Sequence, residues 1–71
     1  MSKRLPRVTA KELARFLTRR GFVLFDTKGS HYHYWHPITR QKVTIPMHAG
    51  KIVGPGLLKS ILKQVALEWD E

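Results

Sequence analysis

The chain has 71 residues, carries 13 Lys or Arg against 5 Asp or Glu, and so bears a formal net charge of +8 with a pI near 10.5. That length allows one domain that buries only ~60% of its unfolded surface, so any functional site is small and superficial, and the lack of cysteine removes both a disulfide frame and thiolate chemistry. The longest apolar runs reach four or five residues where a membrane span needs ~20, and no apolar segment follows the basic Met1 to Arg7 stretch as it would in a secretion signal, so a soluble, cytoplasmic protein without membrane contact is expected.

Thr9-Ala10-Lys11-Glu12 reads as a capping box, in which the threonine oxygen accepts from the Glu12 amide and the glutamate returns to the Thr9 amide. Val8 and Leu13 stand where a hydrophobic staple packs. The spacing then predicts a helix from about Ala10 to Arg20, with Leu13, Phe16 and Leu17 buried and Lys11, Arg15 and Arg19 outside. Gly21 stops it in the left-handed position that follows a helix.

Phe22 to Lys28 is rich in aromatic and β-branched residues and precedes Gly29-Ser30, which predicts a strand and a tight turn. His31 to His36 forms the next strand. Period-two geometry puts His31, His33 and Trp35 on one face and Tyr32, Tyr34 and His36 on the other. The turn Pro37 to Arg40 leads to a third strand, Gln41 to Pro46, in which Val43 and Ile45 alternate with Lys42 and Thr44. A loop from Met47 to Gly54 carries His48 and Lys51, and Pro55 suits a first helical turn. Leu57, Leu58, Ile61, Leu62, Val65, Ala66 and Trp69 recur at helical spacing after it. The predicted class is therefore α+β in the order α-β-β-β-α, an antiparallel three-stranded sheet with two helices on one face and the other left open as a binding surface.

Charge is unevenly distributed along these elements. All the basic residues fall in positions 1–63, where Glu12 and Asp26 are the only acids, and Glu68, Asp70 and Glu71 close the chain. A domain this basic attracts polyanions, usually nucleic acid. A merely solvated surface, or a patch for an acidic protein, is the alternative.

Four stretches in this order, "TAKELARFLTRRGF", "KGSH", "TRQKVTIPMH" and "GPGLLKSILKQ", resemble the HicA family, small toxins of bacterial type II toxin–antitoxin systems. The resemblance spans nearly the whole chain and implies a single domain over 1–71, with 1–7 and 70–71 expected to be flexible. It implies a fold similar to a double-stranded RNA-binding domain, in agreement with the element order read from the residues. It further implies a ribosome-independent endoribonuclease that cleaves mRNA and arrests growth. Its implied partners are an mRNA substrate and a HicB-type antitoxin, with operator DNA met only through the antitoxin complex. The family's catalytic histidine follows Gly-Ser, which makes it His31 here; Tyr32, His33 and His48 inherit no role from the motif.

Chemistry favours His31 independently. Cleaving RNA without a metal requires a 2′-hydroxyl to be activated against the adjacent phosphorus and the leaving 5′ oxygen to be protonated. A histidine with an ordinary pKa of ~6.5 exchanges protons in both directions at cellular pH. His31 comes directly after Gly29-Ser30, at a strand start where its ring emerges at an edge open to a backbone, and Lys28 lies within reach of a phosphate. The plain alternative is a half-exposed strand residue. His31 and His33 together also suggest zinc, but a closed site needs a third and usually a fourth ligand. With no cysteine, Asp26 the only nearby acid and His36 facing away, no metal and no cofactor is expected. His33 then shapes the site or binds RNA. His36 and His48 have no forced role, unless the His48 loop folds back toward the first helix.

Tyr32, Tyr34 and Trp35 suit either base stacking or the core, and Phe16, Phe22 and Trp69 the core. Lys59 and Lys63 are four apart on the exposed side of the last helix and suit phosphates or plain solvation. Gly54 to Leu58 occupies the place where RNA-binding domains of this fold carry a basic cluster. Two rivals to the nuclease follow: a non-catalytic RNA-binding module of the same fold, and a basic adaptor that meets only a protein.

Overall fold

A computed structural model describes residues 7–48 and 50–69. Apart from Arg7, the termini expected to be flexible lie outside the described residues. The chain begins with β1 (Val8–Thr9) and α1 (Ala10–Arg19). The capping box closes as predicted: the Glu12 amide donates to Thr9 Oγ1 at 3.1 Å, and the Thr9 amide donates to Glu12 Oε1 at 2.9 Å. The Thr9 amide, which contributes most, and the Thr9 hydroxyl both donate to Glu12 Oε1 and, with Arg15 nearby, hold the Glu12 carboxyl below its usual range. Val8 and Leu13 are both buried beside it. Gly21, at φ +95°, follows the helix, and the amides of Gly21 and Phe22 donate to the carbonyls of Thr18 and Leu17 at 3.1 and 3.0 Å. This is the paired bonding of a Schellman end.

Three antiparallel strands follow, β2 (Val23–Lys28), β3 (His31–Trp35) and β4 (Lys42–Pro46), in the spatial order β2-β3-β4. A two-residue loop joins β2 to β3, with Gly29 at φ +56°, a conformation available to glycine without a Cβ penalty. The loop is pinned from the far side, because the Met47 amide donates to the Ser30 carbonyl. β5 (Ile52–Val53) pairs antiparallel with β1, and α2 (Pro55–Val65) completes the fold. The α-β-β-β-α arrangement, similar to a double-stranded RNA-binding domain, is thus present with one addition, the β1–β5 ribbon.

One core unites these elements. Leu13, Phe16 and Leu17 of α1, Leu58, Ile61, Leu62 and Val65 of α2, and Tyr34, Val43 and Ile45 of the sheet are all buried in it. Gln41 and Gln64 fasten α2 to β4 by reciprocal bonds, each side-chain amide donating to backbone across the joint, at 2.9 Å to the Gln64 carbonyl and 2.7 Å to the Lys42 carbonyl.

Both ends of α2 depart from the expected periodicity. Leu57 is 39% exposed, and the helix stops at Val65 because Ala66 turns to φ +56° and the Leu67 amide bonds back to the Leu62 carbonyl. Trp69 therefore reaches the core from beyond the helix, stacking on Phe16 at 4.5 Å between centroids. Arg20 covers the same ring, its guanidinium carbon 3.7 Å from the centroid.

Candidate functional site on the open sheet face

Because Tyr34 is buried among the helices and its neighbours alternate, His31, His33 and Trp35 project from the opposite, open face of β3. Register places Lys28 and Pro46 on either side of His31, Asp26 and Thr44 on either side of His33, and Val23 and Lys42 on either side of Trp35. β3 is the central strand, so His31 emerges at the end of the middle of the sheet and not at a sheet edge as expected. Its ring is exposed, and its backbone is bracketed by the Gly29-Ser30 loop and the Ser30–Met47 bond.

The two-residue loop pairs Lys28 with His31, and beyond Asp26 a bulge resets the strand. Between Leu24 and Asp26 the register shifts, so that Phe25 and Asp26 together oppose His33. Phe25 and Lys28 are three residues apart, a spacing that puts them on opposite faces of a regular strand; an inserted residue re-phases the strand. Phe25 meets His33 on the open face, with centroids 6.1 Å apart, and Lys28 still lies beside His31. Directly opposed residues of this kind have Cβ atoms ~5 Å apart, so one phosphate can reach both the ammonium and the imidazole. Nothing in the residue pattern signalled this bulge.

Each histidine has a distinct setting. His33 is half-buried and its Nδ1 lies 2.9 Å from Thr44 Oγ1, which fixes the ring beside His31. His36 has a structural role that its turn position did not suggest. Its Nε2 lies 3.1 Å from the Arg20 carbonyl, and its Nδ1 accepts from the amides of Ile38 and Thr39 at 3.1 and 3.2 Å. Those partners assign the neutral tautomer with hydrogen on Nε2. Its ring also meets Phe22 edge-on at 5.1 Å. His36 thereby ties the β3–β4 turn to the end of α1 and satisfies a helix-terminal carbonyl. The His48 loop does fold back toward the first helix: His48 lines a groove of about 500 Å³ with Thr9, Lys11, Tyr32, Met47 and Gly50.

The expected cations Lys28, Lys59 and Lys63 divide between the two layers, and Lys42, which the sequence did not single out, joins the first. Lys28 and Lys42 share the face of His31, whereas Lys59 and Lys63 lie exposed on α2, in the helix layer behind the sheet. Tyr34 belongs to the core, where burial and the neighbouring Tyr32 push its phenol above the usual value, and Tyr32 packs partly against the same core. Of the strand aromatics singled out in the sequence, only Trp35 reaches the open face. Among the described residues no three His, Cys, Asp or Glu side chains gather as a metal site, and no helix is long and apolar enough to cross a membrane.

Comparison with known proteins adds one finding. A family described as "HicA toxin of bacterial toxin-antitoxin" matches residues 10–67, from the first residue of α1 to the segment beyond α2. No curated protein sequence and no solved structure matches the chain.

Proposed function

This chain belongs to the HicA toxin family of bacterial toxin–antitoxin systems, and from that premise we propose that it is a metal-independent endoribonuclease that cuts mRNA on its open sheet face. The observation that carries the reading is the exposed His31 beside Lys28, flanking a loop fixed by Gly29 and by the Ser30–Met47 bond.

In the proposed reaction His31 takes the proton of a 2′-hydroxyl, the 2′ oxygen bonds to the adjacent phosphorus, and the bond from phosphorus to the 5′ oxygen breaks. The leaving oxygen gains a proton from imidazolium or water. General acid–base help of this kind is worth ~10²–10⁴ in rate. Lys28 holds the phosphate and opposes the charge that builds on it. His33, oriented by Thr44, shapes the flank. One imidazole on a shallow face offers little preorganisation, so turnover is modest. Lys59 and Lys63, on the other layer, contribute long-range attraction for RNA and not contact with the scissile group.

A HicB-type antitoxin then inhibits by covering His31, meeting the basic surface with complementary charge. Operator DNA is met through that complex. The toxin acts in the cytoplasm, where its substrate is. End-group analysis of RNA cut in excess chelator tests the chemistry: 2′,3′-cyclic phosphate and 5′-hydroxyl ends are expected. Cleavage that stops with chelator, or 5′-phosphate products, overturns the mechanism.

A further inference from the structure

The open face holds more apolar surface than a histidine site requires. Phe25 is 50% exposed, and with Trp35 and Lys42 it lines a shallow groove of about 330 Å³. The core does not use Phe25; the bulge leaves this large aromatic half in water on the face it shares with the exposed Val23 and with Trp35, and contiguous exposed apolar surface of this kind marks a binding site. His33 lies between it and the proposed cleavage position, its ring 6.1 Å from that of Phe25. The result is a line of rings along the sheet, from His31 through His33 to Phe25 and Trp35.

We propose that the groove between Phe25 and Trp35 is a stacking site for one unpaired RNA base, with Lys42 at its rim holding the phosphate of that nucleotide. Three observations favour a nucleotide as the occupant. Both walls are aromatic and present faces or edges to solvent, and stacking on such rings serves any base. The rim group on the β4 side is a cation, which suits a phosphodiester and not a purely apolar partner. The groove also continues the surface of the cleavage site: His31 and Trp35 are four residues apart on one strand, ~13 Å at the usual rise, so the stacked base belongs within two nucleotides of the cut. Asp26 is the acid on this face, opposite His33, and it repels backbone from the middle of the track, leaving Lys28 and Lys42 as separate phosphate contacts. The site selects single-stranded over paired RNA, because a base within a helix has no free face to offer.

The inference rests on the nuclease reading only for the position of the cut, and two measurements separate the two claims. Anisotropy of a labelled, unstructured RNA bound to His31→Ala protein measures affinity without cleavage. Stacking contributes ~1–3 kcal/mol per base, so Phe25→Ala is expected to raise Kd by roughly 5- to 150-fold. An unchanged Kd overturns the stacking site whatever the fate of the nuclease. The second measurement needs no variant: the intact chain is given RNAs with one abasic position moved along the strand. Loss of cleavage confined to one position within two nucleotides of the cut is expected. A uniform response along a strand that is still cut overturns the inference and leaves the nuclease standing. If no RNA is cut but Phe25→Ala weakens binding, the stacking site stands and the nuclease falls.

Discussion

Gly21 sits where a helix end, a strand start and the β3–β4 turn meet, and replacing it with alanine tests that junction. Two costs combine. At φ +95° an L-residue bears the steric conflict of the left-handed region, ~1–2 kcal/mol. The new Cβ would also stand 2.7 Å from His36 Nε2. That ring cannot simply swing aside, because three hydrogen bonds hold it. Relief requires it to give up the bond to the Arg20 carbonyl, at ~1 kcal/mol. The expected destabilisation of Gly21→Ala is therefore about 2–3 kcal/mol, which for a domain of this size lowers Tm by roughly 10–20 °C. Thermal melts followed by circular dichroism measure it. A double-mutant cycle isolates the contact: with His36→Ala already present, only the backbone cost remains, and the coupling should be about 1 kcal/mol. A Tm within about 4 °C of the parent, or the same cost in both backgrounds, refutes the His36 lock.

Other expectations follow from the same geometry. Ala66 ends α2 at φ +56°, so Ala66→Gly removes left-handed strain and raises stability by about 0.5–1 kcal/mol in denaturant unfolding. Glu12 has a carboxyl pKa depressed below its ordinary 4.5, first by the Thr9 amide; its contribution is present at neutral pH and lost as pH falls through the folded value. Glu12→Gln should flatten the fall in Tm measured from pH 5 down to pH 2–3. Lys28→Ala should weaken RNA binding and make the slope of log affinity against log salt shallower by about 0.7, the contribution of one single-strand phosphate contact.

How far the residues foretold this arrangement depends on the range of the signal. The capping box at Thr9 and Glu12, the stop at Gly21 and the Gly29-Ser30 turn are local, each needing only a few neighbours, and all were legible. The face carrying His31, His33 and Trp35 followed from period-two alternation, although which face the helices cover is decided by Tyr34, Val43 and Ile45 packing together. The β1–β5 ribbon was not legible, because Val8 pairs with Val53 across most of the chain and two-residue strands have no period. Trp69 continued the helical spacing by coincidence; its partner is Phe16, and Ala66 had already turned the chain. The bulge at Phe25 and the bond of His36 to the Arg20 carbonyl arise between distant segments, whereas the His36 bonds to Ile38 and Thr39 close its own turn. The first re-phases β2 so that Phe25 joins the face of Lys28 and His31, and it is the feature of the site that the sequence concealed.

His31→Ala tests the central claim most directly. The side chain is exposed and buries no core surface, so the variant should fold with an unchanged circular dichroism spectrum and melt within about 1 kcal/mol of the parent. RNA cleavage by purified protein should fall by at least ~10², and growth arrest on induction should disappear, while RNA binding persists. Cleavage and growth arrest that survive in a folded His31→Ala protein would contradict the account.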